Sequence, residues 1–135
     1  MYILSHDLGT TGNKALLVDA ASPIGEGEKI VASAYHKYPT YYPKSGWSEQ
    51  DPGEWWEALV RTTREILAKI FDSPSKIAAI GISGHMMGCL PLDAEGNPLH
   101  RSLIHSDTRS LSQAQRIEAV LGKEEIYRIA GNLMD

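Results

Sequence analysis

The feature that most restricts the fold of this chain is a glycine-rich turn close to its N-terminus. The turn, Asp7 to Gly12, joins two short runs with a high propensity for β-structure, residues 2–8 and 13–19. Two glycines between such runs are typical of a tight β-hairpin. The sequence therefore predicts an antiparallel hairpin over residues 3–19, and any fold proposed for the chain has to contain it.

The residues of this turn have the chemistry of an anion-binding site. Gly9 and Gly12 allow a ligand to come close to the backbone. The hydroxyls of Thr10 and Thr11 stand beside the amide groups of the turn, as in an anion-binding nest, and Lys14 adds a positive charge. The pattern indicates a site for the phosphates of a nucleotide.

Asp7 at the end of the first strand cannot favour a phosphate by itself. A carboxylate at this point is consistent with Mg²⁺ between the protein and the phosphates, held in part through water. The alternative is an ordinary hairpin turn with an exposed aspartate before it. The hexapeptide alone favours that alternative, because glycine-rich turns are common and this one is neither a Walker A sequence nor a Rossmann fingerprint.

The next segments predict a meander followed by a helix. Residues 29–38 form a third β-prone run, which gives a three-stranded antiparallel meander. A helix start follows, with Asp51 as the cap, Pro52 at the first helical position and Glu54 three residues after the cap. The helix should run to about Phe71, because apolar residues recur at helical spacing: Trp55, Trp56, Leu59, Val60, Ile66, Leu67, Ile70 and Phe71.

The second half of the chain continues the α/β pattern. Residues 76–82 are apolar without alternation, as expected for a buried strand covered on both faces. A hairpin is predicted over 89–104 and two amphipathic helices over 110–121 and 124–130. The predicted fold class is an α/β domain with a mixed sheet, in which an antiparallel meander is joined by a parallel strand and flanked by helices. No closing strand follows, so the domain is expected to be incomplete at its C-terminus.

Charge and cysteine content disfavour several classes of protein. The chain has 13 Lys and Arg residues against 17 Asp and Glu, a net charge of −4, which argues against nucleic acid or an anionic membrane as its main partner. Cys89 is the single cysteine, so no disulfide framework forms within the chain. No signal peptide and no apolar stretch of about 20 residues is present. The expected location is the cytoplasm.

Four segments together resemble one known family. Residues 7–12, followed by 14–19, resemble the first phosphate motif of the actin-like ATPase superfamily and, more narrowly, of the FGGY family of carbohydrate kinases. Three later segments match that family in order: Gly46–Pro52 with Trp55 and Trp56; Ile80–Gly88; and the stretch from Asp93 through Gly96, Pro98 and Leu99 to Asp107, Thr108 and Arg109.

The resemblance implies an ATP-dependent kinase of a sugar or polyol, with two ribonuclease-H-like domains flanking a nucleotide cleft. Residues 1–135 would be the N-terminal part of the first domain, with the remainder of that domain and the second domain absent. By resemblance, ATP and Mg²⁺ are held at the turn, by Asp7 (Mg²⁺, through water), Gly9, Thr10, Thr11, Gly12 and Lys14. The sugar-contacting segment is 83–109, with His85, Met86, Met87, Asp107 and Arg109 against the sugar.

Two of these segments bear on the identity of the sugar. In glycerol-kinase-like members the positions matching Met86 and Met87 hold an Arg-Glu pair, which two thioethers cannot replace, so glycerol is not expected. Xylulokinase-like members carry Gln-Met-His there, and Trp-Asn-Asp-Gly-Arg where this chain has His-Ser-Asp-Thr-Arg. Asp107 and Arg109 match that pattern, whereas His105 stands in place of Trp. The resemblance therefore favours a pentulose, with D-xylulose first.

Structural roles are the alternatives for these residues. Met86 and Met87 could pack against neighbouring side chains, which is what most methionines do. Asp107 and Arg109 could form a surface ion pair that caps the following helix. The tandem tryptophans of the long helix are expected in its core and at its rim rather than at the sugar.

The resemblance also implies what the chain lacks. The family's catalytic aspartate, which takes the proton of the sugar hydroxyl, would lie beyond residue 135, and no carboxylate within the chain replaces it. The chain alone is therefore expected to be inactive as a kinase, and its open sheet edge to favour a homodimer or other self-association. A rival class is a non-catalytic actin-like module that binds a phosphate or metabolite without turnover.

Overall fold

The computed structural model describes residues 1–21, 29–70 and 74–133, which form a four-stranded sheet, a two-stranded sheet and three α-helices. The elements in chain order are β1 (Tyr2–Leu8), β2 (Gly12–Asp19), β3 (Ile30–Lys37), β4 (Glu49–Gln50), α1 (Pro52–Lys69), a 3₁₀ turn (Pro74–Lys76), β5 (Ile77–Gly84), β6 (Ser102–Leu103), α2 (Leu111–Leu121) and α3 (Lys123–Ala130). The larger sheet has the order β3-β2-β1-β5, in which β1 is antiparallel to β2 and parallel to β5. The predicted meander with an added parallel strand is therefore confirmed.

The hydrophobic core lies between α1 and one face of the meander. Side chains alternate between the two faces of a strand, and the buried set comprises Leu4, Ala15, Leu17, Ala32, Ala34 and Ile66. Half of these residues are alanines on β2 and β3, the two strands against which α1 packs most extensively. The opposite face of the sheet carries the polar side chains near the turn end of β1 and β2, among them Asp7 and Lys14.

Helix α1 begins as the sequence predicts, with one difference. Asp51 is its N-cap and accepts a hydrogen bond from the Gly53 amide at 2.9 Å. Glu54 does not complete a capping box, because its Oε1 accepts from the Tyr41 hydroxyl at 2.7 Å. The helix ends at Lys69, and the predicted end at Phe71 falls outside the described residues.

The buried stripe of α1 is smaller than the apolar pattern suggests. Its fully buried residues are Ala58, Thr62 and Ile66, so one of the three is polar. Trp56 is 67% exposed, which places the second tryptophan outside the core. Among the described residues no helix is long and apolar enough to cross a membrane.

The prediction of a strand buried on both faces at 76–82 is wrong in this structure. β5 lies at the edge of the sheet, and nearly all of its residues are exposed. Ile80 and Ile82 are each 64% exposed, because the described elements cover neither face of this strand. Its apolar composition is typical of a central strand, whereas β5 is an edge strand in this structure.

The segment predicted as a hairpin at 89–104 has only isolated bridges, Leu92 with Pro98 and Cys89 with Leu103. Its turn is held by Asp93, whose Oδ1 accepts from the Glu95 and Asn97 amides. Residues 102–103 also pair with β4, which the sequence does not predict. The two predicted C-terminal helices are confirmed as α2 and α3, each followed by a glycine.

A buried polar network lies beneath the first hairpin. His6 is 3% exposed, and its Nδ1 accepts from Asn13 Nδ2 at 3.0 Å. The Asn13 amide group also donates to Thr62 Oγ1 at 2.7 Å, and His6 Nε2 lies 3.3 Å from Thr63 Oγ1. Since Nδ1 is an acceptor, the imidazole proton sits on Nε2. The network ties the turn end of the hairpin to α1.

Burial lowers the pKa of His6, against the opposing effect of its hydrogen bond with Asn13. Between this lowered pKa and the ordinary value of 6.5, the unfolded chain therefore binds more protons than the folded one. The contribution of His6 to the free energy of unfolding is then fully present above pH 6.5 and is lost as the pH falls toward the lowered pKa. We expect the free energy of unfolding to fall as the pH drops through 6.5, the ordinary pKa of histidine, as measured by urea titration. His6→Gln should flatten that dependence; an unchanged slope in the variant would show that His6 does not cause it.

Candidate functional site

The turn between β1 and β2 is held by hydrogen bonds to its carbonyl groups. The Tyr38 hydroxyl donates to Gly9 O, and the Tyr38 amide donates to Thr11 O at 3.4 Å. Between these, Gln50 Nε2 donates to Thr10 O at 2.7 Å. Three consecutive carbonyls are thus bonded to the protein's own donors.

The Gly9 amide donates to Gly12 O at 3.0 Å, and this arrangement leaves the next two amide groups of the turn available. Within the ranges that the structure describes, the Thr10 and Thr11 amides have no acceptor. The Thr11 hydroxyl lies 3.1 Å from the Tyr35 hydroxyl. Burial, followed by the proximity of Tyr35 and Asp7, raises the pKa of Tyr38 to about 12, so its hydroxyl keeps the proton that it donates. Neighbouring free amides at a fixed turn are the donors that bind phosphate oxygens.

The surroundings of the two glycines of the turn differ, so the structure requires a glycine at one position and not at the other. A Cβ on Gly12 would lie 2.5 Å from His36 O and 2.7 Å from the Tyr35 hydroxyl, so this glycine allows β2 to approach β3. A Cβ on Gly9 would meet only Gly12 O, at an ordinary 3.6 Å. The prediction that both glycines make room for a ligand therefore stays open for Gly9, whereas the protein itself requires Gly12.

Asp7 and Lys14 are opposite each other in the hairpin register and, by strand alternation, lie on the sheet face away from α1. They line a shallow cleft of about 480 Å³ together with Ser5, Leu16, Gly81, Ile82 and Ser83. Neither makes an ion pair in the part of the chain that the structure describes. Both charges are therefore available to a ligand.

A metal at Asp7 would have to draw its other ligands from elsewhere. Among the described residues there is no group of three or more His, Cys, Asp or Glu placed to hold an ion. Mg²⁺ commonly keeps several waters and binds one or two carboxylates together with substrate phosphates. The single exposed carboxylate of Asp7 beside the phosphate-type turn fits that mode of binding and does not fit an all-protein metal cage.

The first acceptor segment, residues 85–88 of the predicted sugar-contacting stretch, follows β5 and lies beside the end of β1. The His85 amide donates at 2.9 Å to the carbonyl of Leu8, the last residue of β1. The imidazole of His85 packs edge-on against Trp55, with ring centroids 5.1 Å apart. Together with Met87 these residues line a cleft of about 350 Å³. The structure therefore brings His85 directly beside the phosphate-type turn.

The two methionines of this segment are exposed, at 77% for Met86 and 69% for Met87. They are therefore not part of the core formed by the described residues. Met87 has a φ of 60°, a left-handed conformation that non-glycine residues seldom adopt and that clusters at functional positions. Its sulfur accepts a hydrogen bond from Asn132 Nδ2 at 3.7 Å.

The second acceptor segment, residues 105–109 of the predicted sugar-contacting stretch, is held by a carboxylate–guanidinium network. Both oxygens of Asp107 bond to Arg109, and Oδ2 also accepts from the Ser48 amide at 2.7 Å. Arg109 Nη2 reaches Glu49 Oε1 at 2.7 Å, and the guanidinium lies 3.7 Å from the ring centre of Trp47. The side chains of Asp107 and Glu49 are 3% and 4% exposed.

This network differs from the helix-capping ion pair considered as an alternative. Ser110 is the N-cap of α2 and makes no side-chain capping bond, whereas Asp107 and Arg109 join the turn before α2 to strand β4. Burial raises the pKa of Asp107, but the hydrogen bonds from Arg109 and the Ser48 amide outweigh it and lower the pKa overall. The hydrogen bonds to Asp107 raise the pKa of Arg109. Both groups are charged and fixed.

A larger cleft of about 660 Å³ runs along this second segment. Met87, His105 and Asp107 line it with residues from α2 and the C-terminal stretch. Three of the five predicted sugar-site residues line these two clefts, which share Met87: His85 lines the smaller one and Asp107 the larger one. Met86 and Arg109 line neither cleft, so the structure does not gather the five residues around one enclosed pocket.

Comparison with known proteins identifies the family to which this arrangement belongs. A family model described as the N-terminal domain of the FGGY family of carbohydrate kinases matches residues 2–135. The chain belongs to this family. The resemblance and the actin-like fold expected from the sequence are thereby confirmed for this FGGY domain.

Similar proteins carry different substrate names. A glycerol kinase of Trichormus variabilis is 36% identical over 99% of the FGGY domain and 26% of its own length. Among solved structures, a xyloylose kinase from Brucella ovis has a TM-score of 0.86 at 35% identity, covering 98% of this chain and 26% of that one. Xylulose kinase from Lactobacillus acidophilus has a TM-score of 0.82 at 31% identity, with coverages of 94% and 24%. The chain thus spans about a quarter of the length of these proteins.

Sequence reasoning missed the residues that hold the FGGY site in place. Tyr38 and Gln50 bond the turn, and Ser48 and Glu49 bond the Asp107–Arg109 pair. Three of the four follow one another in the segment that resembles the family, ahead of α1. Their signal was a run of polar residues, Ser-Glu-Gln, at the point where a loop enters a helix, but a single sequence does not show which distant groups they contact.

Proposed function

We propose that a protein carrying this FGGY domain transfers the γ-phosphoryl group of ATP to a hydroxyl of a small sugar or polyol. The observation that carries the proposal is the hydrogen bond from the His85 amide to Leu8 O, which places the acceptor segment at the same end of β1 as the turn with free amides. Phosphoryl transfer depends mainly on positioning and charge neutralisation, and this arrangement supplies groups for both.

On the nucleotide side, the Thr10 and Thr11 groups and the Lys14 ammonium would contact the β- and γ-phosphates. The backbone at Gly9 and Gly12 allows the close approach. Asp7 would hold Mg²⁺ through water, and the ion when bound neutralises charge on the phosphate oxygens. The absence of ion pairs at Asp7 and Lys14 within the described residues supports these roles.

In the transfer, the acceptor oxygen attacks the γ-phosphorus, the bond to the ADP oxygen breaks, and the hydroxyl proton passes to a base. We propose that the base comes from outside these 135 residues. Asp7 has the metal role. Asp107 is a poor base because Arg109 and the Ser48 amide already occupy both of its oxygens and lower its pKa.

For the acceptor, we propose a pentulose, with D-xylulose first, bound along His85, Met86, Met87, Asp107 and Arg109. The similar proteins include both glycerol and xylulose kinases, so they support a small sugar or polyol as the acceptor. The choice between glycerol and a pentulose rests on the side chains of this segment. Met86 and Met87 offer no charged pair for the hydroxyls of glycerol. Asp107 and Arg109 are already paired to each other, so they would present fixed polar edges to a longer sugar.

We propose that residues 1–135 are the N-terminal part of the first kinase domain, with the phosphate hairpin at 3–19 and the sugar-contacting segment at 83–109. A homodimer or other association through the open edge of β5 remains part of this proposal, supported by the exposure of Ile80 and Ile82. The cytoplasm is the proposed location, since the single cysteine suits a reducing compartment.

The test is a kinase assay on a protein that carries this domain at the full length of its relatives. ADP release is measured with ATP and Mg²⁺ and with D-xylulose, D-ribulose, glycerol, gluconate or no acceptor. We expect acceptor-dependent ADP with the highest kcat/KM for D-xylulose, and no turnover by the 135-residue chain alone. ADP release that does not depend on any acceptor would indicate a hydrolase, and nucleotide binding without turnover would favour the non-catalytic binding module.

A further inference from the structure

Strand β4 lies between the phosphate hairpin and the acceptor segments and is bonded to both. Its second residue, Gln50, is fully buried. Nε2 of Gln50 donates to Thr10 O at 2.7 Å and to Thr40 Oγ1 at 2.9 Å, and its Oε1 accepts from Trp55 Nε1 at 3.0 Å. Both donors and the acceptor of this side chain are therefore in use.

The bonds of Gln50 complete a continuous path between the two halves of the site. The path runs from the carbonyl of Thr10 through Gln50 to the indole of Trp55, and from that ring to the imidazole of His85. The preceding residue, Glu49, bonds Arg109, so neighbouring residues of one two-residue strand hold the turn and the second acceptor segment.

We infer that Gln50 is a positioning residue that couples the binding of nucleotide phosphates at the turn to the binding of the acceptor beside His85. This inference rests on the proposed kinase function and deepens it. Gln50 touches neither the phosphates nor the sugar in this arrangement, and it acts through Thr10 on one side and Trp55 on the other.

The physical reason is that a buried and fully bonded amide has one favourable orientation. Rotating Gln50 would leave a buried donor or acceptor without a partner, which is costly in a low-dielectric interior. A ligand that shifts the Thr10 carbonyl therefore shifts Gln50 with it, and so changes the position of the Trp55 ring against His85. By linkage the effect is reciprocal, so an acceptor that shifts His85 changes the affinity of the turn for phosphates by the same factor.

Tyr38 provides a matched control on the same turn. It bonds the carbonyls on both sides of Thr10, those of Gly9 and Thr11. Within the described ranges it makes no hydrogen bond to Trp55 or His85. Removing its hydroxyl should loosen the turn without interrupting the path through Gln50.

The experiment compares Gln50→Met, Trp55→Phe and Tyr38→Phe with the parent protein at the full length of its relatives. Gln50→Met keeps the volume and removes every hydrogen bond of the side chain, and Trp55→Phe removes the indole N–H while keeping an aromatic ring. Titration calorimetry gives the Kd for D-xylulose, or for whichever acceptor the assay above turns over fastest, with and without the Mg²⁺ complex of a non-hydrolysable ATP analogue. The readout is the ratio of the two Kd values.

We expect the analogue to tighten acceptor binding by on the order of tenfold in the parent. The ratio should fall to about one in both Gln50→Met and Trp55→Phe, and remain near the parent value in Tyr38→Phe even where its nucleotide affinity is weaker. If Gln50→Met and Trp55→Phe weaken the binding of both ligands but keep the parent's ratio of Kd values, Gln50 is only structural and the inference is wrong. If Tyr38→Phe loses the ratio equally, general loosening is the cause and the inference is also wrong. A parent that binds neither ligand would contradict the proposed function itself, and this inference with it.

Discussion

In a protein that carries this domain at the full length of its relatives, Asp7→Asn should lower kcat of the proposed sugar phosphorylation by about 10²–10³-fold while changing the KM for the sugar little. The carboxylate is proposed to hold Mg²⁺ at the phosphates, and the loss of one group that stabilises charge in the transition state has effects of this size. Asp7 is exposed and makes no ion pair in the described part of the chain, so the fold should tolerate the change. Initial rates at saturating ATP and sugar over a range of Mg²⁺ concentrations measure it.

The matched control for this prediction is Asp19→Asn. Asp19 is on the same hairpin and undergoes the same change of charge, but it pairs with Tyr2 at the far end of the hairpin from the turn. Its kcat should stay within about twofold of the parent, since charges at that distance are screened. If Asp7→Asn keeps the kcat of the parent, Asp7 does not hold Mg²⁺ at the phosphates.

Gly12→Ala should lower the stability of the fold and Gly9→Ala should not, because the fold itself requires a glycine only at position 12. The new Cβ at position 12 would lie 2.5 Å from His36 O, so β2 and β3 must separate, and a loss of about 2–3 kcal/mol in the free energy of unfolding is expected for such overpacking. At position 9 the Cβ meets nothing closer than 3.6 Å, and stability should be unchanged or slightly higher. Urea unfolding measures both.

The same pair of variants reports on ligand approach. If phosphates approach the backbone at Gly9, the alanine methyl group occupies part of that space, and we expect the KM for ATP to rise about tenfold with the KM for the sugar unchanged. A stable Gly9→Ala enzyme with the ATP KM of the parent would mean that the phosphates do not approach the backbone there. A stable Gly12→Ala protein would contradict the close packing of β2 on β3.

The first half of the fold could be predicted because its signals are local. The glycine-rich turn, the β-prone runs on both sides of it and the Asp51 cap each act over a few residues. β5 shows the limit of such signals, because its apolar composition records a buried environment that the described residues do not supply. β4 and β6 are two residues each and pair across about fifty positions, so they have no periodicity to detect.

The site could be predicted as segments but not as a set of contacts. The turn and the residues near His85 and Asp107 were found from residue chemistry and family resemblance. That Asp107 is bonded to Ser48 and Arg109, and that Gln50 lies between Thr10 and Trp55, depends on side-chain contacts between residues as much as 59 positions apart. Only the folded chain fixes those contacts, and they change the interpretation of Asp107 from a free sugar ligand to a carboxylate with both oxygens engaged.

The proposed kinase function requires residues 9–12 of the turn to bind the phosphates of ATP beside the acceptor segment at His85. A crystal structure of the full-length protein with the Mg²⁺ complex of a non-hydrolysable ATP analogue and D-xylulose tests it most directly. We expect terminal phosphate oxygens about 3 Å from the Thr10 and Thr11 amide nitrogens, with the sugar in the cleft lined by His85 and Met87. A nucleotide whose phosphates lie away from this turn, with the Thr10 and Thr11 amides bonded only to protein or water, would contradict the proposed function.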